Sequence, residues 1–362
     1  MKPERTFTVR YTGDLSGTYG KPVGDLGQDI LAQVPSIRWN FLADQQPRAG
    51  DPTYQDRLYS MEIKPEHVAT ANAIVTCRPY VRASAFSGGA DGLLAIARAG
   101  IGYDKINLEA CTANDVVVFN TPHGMTHATA SAAMILILCL SRHLPLQLRM
   151  IRERRWDLQK EAVGDDLAGL TLSIIGLGRT GLELARLMQP FGMRLIAFSK
   201  HADPAKAAAL NIELVGTLEE ALRRADYVSL HGRLDDRTRG MIGAKELALL
   251  KPTANFVNVA RGEMVDEPEL VRVLREHRIA GAGLDVFEHE PLPPDSPLLQ
   301  LDNVILTPHW LCSTRQAGRA SITTLMNSVV SVARGMLPEN ILNPEVLDRP
   351  GFQRKLQRQR EA

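Results

Sequence analysis

From His67 onward the chain alternates short apolar runs with longer stretches in which apolar residues recur every three or four positions. Short runs suit strands buried on both faces, and the longer period suits helices with one packed face, so a parallel α/β organisation is predicted. Ala73–Cys77 and Val116–Phe119 read as strands, and Gly92–Ala99, rich in Leu and Ala, reads as a helix. The turn Thr121–Gly124 leads into a long alanine-rich helix over about Thr126–Arg142, with further helix reaching Trp156 before Gly164 and Gly169. A second series begins at Leu170. Six strands are expected there: Thr171–Ile175, Arg194–Phe198, Tyr227–Leu230, Phe256–Val259, Gly283–Val286 and Val304–Leu306. Helices fill the gaps, including Thr180–Gln189, Leu218–Arg224 and Glu267–Glu276, and a last helix runs through Ile322–Arg334. Before His67 the pattern is weak: Val9 and Tyr11 suit a first strand and Asp25–Val34 a helix. The tail from Pro350 is charged and nearly free of apolar residues, so fraying is expected.

Composition narrows the class only a little. At 362 residues the chain has room for two domains, on a prior of roughly 100–200 residues each. A net charge of +1 calls for neither nucleic acid nor an anionic membrane. The four cysteines (Cys77, Cys111, Cys139, Cys312) show no CxxC pair and no metal-type spacing, so free thiols in a reducing compartment are expected. The amino-terminal stretch has charges but no apolar core of the signal-peptide kind. The most apolar run, Ala128–Leu140, falls short of the ~20 residues a membrane span needs. A cytoplasmic protein is the expectation.

The second series opens with a glycine loop. Leu172–Ile175 runs straight into Gly176-Leu177-Gly178-Arg179-Thr180-Gly181, and a helix follows at once. In that setting the three glycines have different roles. Gly176 permits a tight turn, Gly178 lets backbone approach a pyrophosphate, and Gly181 allows close helix–strand packing. The helix amino terminus adds free N–H groups and a favourable dipole. Because this second α/β series interrupts the chain and the last helix would complete the first, the expected fold is a doubly wound, parallel-sheet (Rossmann) cofactor domain inserted into a second, flavodoxin-like α/β substrate domain. Its expected bounds are 126–311 for the cofactor domain, with an arm at about 126–165. The discontinuous substrate domain takes 1–125 and 312–345, followed by a tail, 346–362. An NAD enzyme normally has Asp or Glu at the end of the next strand to hold the ribose hydroxyls. Here Arg194–Phe198 is followed by Ser199, Lys200 and His201. A hydroxyl and a cation suit the 2′-phosphate of NADP(H), which is favoured. NAD(H) stays open, with Asp203 as its candidate partner. Arg233 is a weaker candidate for the same phosphate, and His231 beside it is a candidate cofactor contact whose alternative reading is structural or peripheral.

Three strand-like runs then end on Arg261, Glu290 and His309. In an open parallel sheet, ligands bind outside the carboxyl ends of the strands. An imidazole beside a carboxylate is an acid–base device, and a guanidinium grips a substrate carboxylate. The alternatives are a surface ion pair of Arg261 with Glu263, a solvated loop at His289 and Glu290, and a core histidine at 309. The stretches Asn258–Asp266, Gly283–Pro291 and Thr307–His309, with Arg98–Asp104 and the glycine loop upstream, closely resemble the D-isomer-specific 2-hydroxyacid dehydrogenases from about His67 to Arg334.

That resemblance implies hydride transfer between NAD(P)H and a small 2-keto or 2-hydroxy acid such as glyoxylate or hydroxypyruvate. It further implies that Arg261 holds the substrate carboxylate and C2 oxygen and that His309 transfers the proton. Glu290 would orient the imidazole and favour its cationic form. The amides of Ile101 and Gly102 would take the substrate carboxylate, Asp285 would contact the nicotinamide carboxamide, and Ala260 would lie against the cofactor. The arm would pack against a second subunit in a homodimer. Departures are visible: the crossing helix offers Ser131 where many members have Glu, and Arg233 replaces a proline. Glu290 argues against formate dehydrogenases, which pair the histidine with glutamine. A short-form phosphoglycerate dehydrogenase and a dinucleotide-sensing, corepressor-like binding protein remain as alternatives. Turnover of 2-keto acids separates the enzyme from the sensor.

Overall fold

The structure, a computed structural model, describes residues 6–16, 25–46, 51 and 53–361. The first five residues of the amino-terminal stretch lie outside them. The chain divides into two compact units, Met1–Met125 with Thr314–Ala362, and Thr126–Ser313.

The first unit holds β1 (Phe7–Tyr11), β2 (Ile37–Phe41), β3 (Ala73–Thr76), β4 (Ala95–Arg98) and β5 (Val117–Asn120). They form a parallel sheet in the order β2-β1-β3-β4-β5, the flavodoxin-like order. Side chains alternate across a strand, so Val9, Tyr11, Val75, Ala97 and Phe119 share one core with Leu325, Met326 and Val329 of the helix Arg315–Ala333. Ile74, Ile96 and Val118 occupy a second core with Val68, Leu93 and Cys111.

In the second unit lie β6 (Thr171–Ile175), β7 (Arg194–Phe198), β8 (Ile212–Leu214), β9 (Tyr227–Leu230), β10 (Asn255–Asn258), β11 (Gly281–Leu284) and β12 (Val304–Leu306). Their parallel order, β12-β11-β10-β9-β6-β7-β8, reverses direction between β6 and β9. A doubly wound sheet binds its ligand at that switch point. One face packs on Leu270, Val273 and Leu274 of the helix Glu267–Arg275. The other packs on Leu136, Ile137 and Leu140 of the helix Thr126–Ser141 and on Leu184, Ala185 and Met188 of the helix Arg179–Met188.

Three expectations are corrected. Gly92–Ala99 is not a helix; it contains β4, whose neighbours Leu93 and Leu94 are buried with it. A strand covered on both faces loses the polar alternation that would mark it, and alanines then look helical. The second sheet has seven strands, not six, because Ile212–Leu214 adds an edge strand of which only Ile212 is buried. The tail does not fray. Pro350–Arg360 is a helix that buries Phe352 and Leu356, four residues apart, in the first core. Between them Lys355 is also buried, and its Nζ donates to the carbonyls of Leu93, Asn114 and Asp115. A high count of charges had masked a narrow apolar stripe. Among the described residues no single helix is long and apolar enough to cross a membrane.

Candidate active site

The site grows from the carboxyl ends of β10, β11 and β12. Asn258 closes β10 with its side chain turned back on the chain: Oδ1 accepts from the Ala260 amide (3.0 Å) and Nδ2 donates to the Arg261 carbonyl (2.8 Å). The local turn puts Arg261 at its tip, half-buried, with Nη1 donating to the Ala260 carbonyl (2.7 Å). Gly262 follows because nothing larger fits. A Cβ there would lie 1.9 Å from the carbonyl carbon of Phe287, so the Arg261 turn is pressed against the segment after β11.

That segment carries Glu290, whose Oε1 accepts from the Phe287 amide (3.3 Å). After β12, His309 sits at φ +51° and its Nδ1 lies 2.8 Å from Glu290 Oε2 and 3.0 Å from Oε1. Burial pushes the Glu290 carboxyl upward. The hydrogen bond and charge of His309, the Phe287 amide and the Arg261 charge outweigh that and hold it below the usual carboxylate range. The carboxylate is therefore ionised at neutral pH, and it accepts from Nδ1, which sets the tautomer and leaves Nε2 directed elsewhere. The Cys312 thiol nearby is pushed up by burial and by Asp285, which fits an inert residue rather than a nucleophile.

Asp285, at the end of β11, is almost fully buried and ties the turn that carries His309. Neither Asn258 nor Thr307 stood out in the sequence as a site residue. The only available signal was a polar side chain at the end of an otherwise apolar run.

The three glycines of the loop answer to different constraints. Gly176 is left-handed (φ +99°), and a Cβ on it would meet the Gly232 amide at 2.7 Å. At Gly181 a Cβ would meet the Gly176 carbonyl oxygen at 2.5 Å. Gly178 differs: its φ of −85° suits any residue, and a Cβ would point into open space. The fold does not demand glycine there, whereas a phosphate approaching the backbone does. Leu177 is buried beneath the loop, and Arg179 and Thr180 open the helix Arg179–Met188.

Beyond β7, Ser199 is half-buried and Lys200 exposed. Asp203 caps the next helix, accepting from the Ala205 (3.0 Å) and Lys206 (3.3 Å) amides. Arg233 is exposed and 3.7 Å from Asp235. His231 lies beside the loop, its amide donating to the Ile175 carbonyl (2.8 Å). Its Nε2 is 2.8 Å from Ser229 Oγ, and burial pulls the imidazole down to about 4. Ser131 turns its hydroxyl to the Ala128 carbonyl of its own helix (3.0 Å). In the first unit, Ile101 and Gly102 follow β4, half-buried, with Asn120 Nδ2 donating to the Ile101 carbonyl (2.7 Å).

Residues 134–310 match the family model described as D-isomer specific 2-hydroxyacid dehydrogenase, NAD binding domain. The chain is 38% identical over 263 residues to a glyoxylate reductase of Korarchaeum cryptofilum, a match covering 71% of this chain and 79% of that protein. It belongs to the D-isomer-specific 2-hydroxyacid dehydrogenases. That family is one of oxidoreductases, and its cofactor class is the nicotinamide dinucleotide. A D-3-phosphoglycerate dehydrogenase of Methanocaldococcus jannaschii is 40% identical over 254 residues, 70% of this chain, but the match spans only 48% of that longer protein. Among solved structures, a glyoxylate reductase from Paecilomyes thermophila superposes with a TM-score of 0.76 at 26% identity, covering 93% of this chain and 98% of that one.

Proposed function

We propose that this 2-hydroxyacid dehydrogenase reduces small 2-keto acids of the glyoxylate or hydroxypyruvate kind, with NADP(H) preferred. The observation that carries the reading is the pairing of His309 Nδ1 with both oxygens of Glu290, beyond the carboxyl ends of strands in the same parallel sheet whose β6 leads into the glycine loop. When bound, the reduced nicotinamide supplies the hydride to C2 of the substrate. Arg261, as a planar fork of donors, holds the carboxylate and the C2 oxygen. His309 gives its Nε2 proton to that oxygen as negative charge develops on it, and Glu290 stabilises the imidazolium needed for the next turnover. Ile101 and Gly102 are proposed as amide donors to the substrate carboxylate, and Ala260 as a cofactor contact, on the family resemblance.

Ser199 and Lys200 support NADP(H), as does the engagement of Asp203, the first carboxylate in sequence after β7, as a helix cap. The arm supports a homodimer: Ile151, Trp156 and Val163 are 61%, 61% and 72% exposed, an apolar surface that a second copy would cover. Sedimentation as a monomer at micromolar concentration would refute that part.

The decisive assay is oxidation of NADPH and NADH with glyoxylate, hydroxypyruvate and phosphohydroxypyruvate. Turnover of the first two with NADPH is expected. A tenfold preference for NADH would overturn the cofactor assignment, and tight cofactor binding without turnover would favour a sensor. The 40% identity to a D-3-phosphoglycerate dehydrogenase favours one second reading, turnover of the phosphorylated acid, which the same panel resolves. Glu290→Gln keeps an acceptor for Nδ1 but removes its charge. It should lower kcat at neutral pH by about tenfold or more.

A further inference from the structure

The turn that carries His309 is gripped from the neighbouring strand by one atom. Thr307 Oγ1 donates to Asp285 Oδ1 (2.7 Å), and the amides of Trp310 (3.0 Å) and Leu311 (3.1 Å) donate to the same oxygen. Asp285 is itself fixed: it is 2% exposed, and its amide donates to the Asn258 carbonyl (3.0 Å). The three donors bracket His309 on both sides. Between them His309 stands at φ +51°, a left-handed conformation that a residue with a side chain holds only when its surroundings dictate it. Its own amide donates to the Thr307 carbonyl (2.9 Å), so the backbone of the turn has little freedom left. Hydrogen bonds to an ionised carboxylate are stronger than neutral ones, and in a buried setting they make a stiff post.

We propose that Asp285 is a positioning residue for His309, its Oδ1 fixing the turn so that the imidazole meets Glu290 with Nε2 aimed at the substrate oxygen. Oδ2 takes no part in these three bonds and is left for the nicotinamide carboxamide that the family resemblance assigns to Asp285. One carboxylate then ties the proton donor and the hydride donor to a common reference point. The inference rests on the proposed role of His309 as proton donor.

Thr307 allows a test that leaves Asp285 and the cofactor contact intact. Thr307→Val preserves shape and removes one of the three donors, whereas Thr307→Ser keeps the hydroxyl. Thr307→Val should lower kcat for 2-keto acid reduction by about tenfold and shift the kcat–pH profile, with the dinucleotide KM changed less than about twofold. Thr307→Ser should return kcat to near the wild-type value. His309→Gln is measured alongside, and denaturation curves confirm that each variant is folded at the assay temperature. Wild-type kcat in Thr307→Val, or equal impairment in Thr307→Ser, overturns the positioning role. Wild-type kcat in His309→Gln overturns the functional reading beneath it instead.

Discussion

Acid should weaken the second unit through a single histidine. His231 Nδ1 is shielded from solvent and has no hydrogen-bond partner among the described residues, while Nε2 meets only the neutral hydroxyl of Ser229. Burial without a compensating anion favours the neutral ring and pulls it down to about 4. In the unfolded chain the same imidazole titrates near 6.5. Between those values the unfolded state binds the extra proton, so stability falls as pH falls, beginning at about 6.5 and ending at about 4. The full effect of a shift to about 4 is roughly 3 kcal/mol, most of it lost between pH 7 and pH 5. Other groups titrate in the same window, so the measurement is a difference. Urea unfolding of wild type and His231→Asn is followed by far-UV circular dichroism at pH 7, 6 and 5. The wild type should lose about 2 kcal/mol more than the variant over that range. Equal pH dependence in the two proteins would refute the reasoning, as would an imidazole NMR titration of His231 with a midpoint at or above 6.

Two further substitutions probe the packing behind the site and the tail. Gly262→Ala places a methyl against the backbone of Phe287, where no side-chain rotation relieves the clash. Displacing the Arg261 turn by even an ångström should cost about a hundredfold in kcat/KM, read with glyoxylate, while cofactor binding measured by fluorescence stays close to wild type. Phe352→Ala empties a fully buried site in the carboxy-terminal helix and should destabilise the first unit by about 3–5 kcal/mol in urea unfolding. A loss under about 1 kcal/mol would mean that this helix contributes little to the core.

Much of this architecture was legible because its strongest signals are local. The strand–glycine loop–helix unit at Leu172–Ala185 fixes its own geometry within fifteen residues, and β6, β7, β9 and β12 were readable as apolar runs bounded by turns. The placement of Arg261 and His309 just beyond the ends of β10 and β12 was readable for a related reason. A charged or ionisable residue immediately beyond a buried parallel strand is placed by topology, whatever its side-chain contacts. What stayed hidden depends on partners far away in sequence. β4 lies in the middle of a sheet covered on both sides, so its residues carry no periodicity to distinguish strand from helix. The helix Pro350–Arg360 exists because Phe352 and Leu356 find a core built from residues 7–119, which no local pattern announces.

The same distinction separates the chemistry of the site from its precision. The pairing of His309 with Glu290 could be anticipated from residue types, but the left-handed backbone at His309 and the gathering of three donors on one oxygen of Asp285 could not. Asn258, accepting from the Ala260 amide and donating to the Arg261 carbonyl, holds the turn of Arg261 as Asp285 holds the turn of His309. The Asp285 amide on the Asn258 carbonyl links the two turns through adjacent strands. Buried polar residues at those two strand ends cost stability unless every bond is made. A sheet that tolerates them there ties the turns carrying Arg261 and His309 to the hydrogen-bond register of β10 and β11.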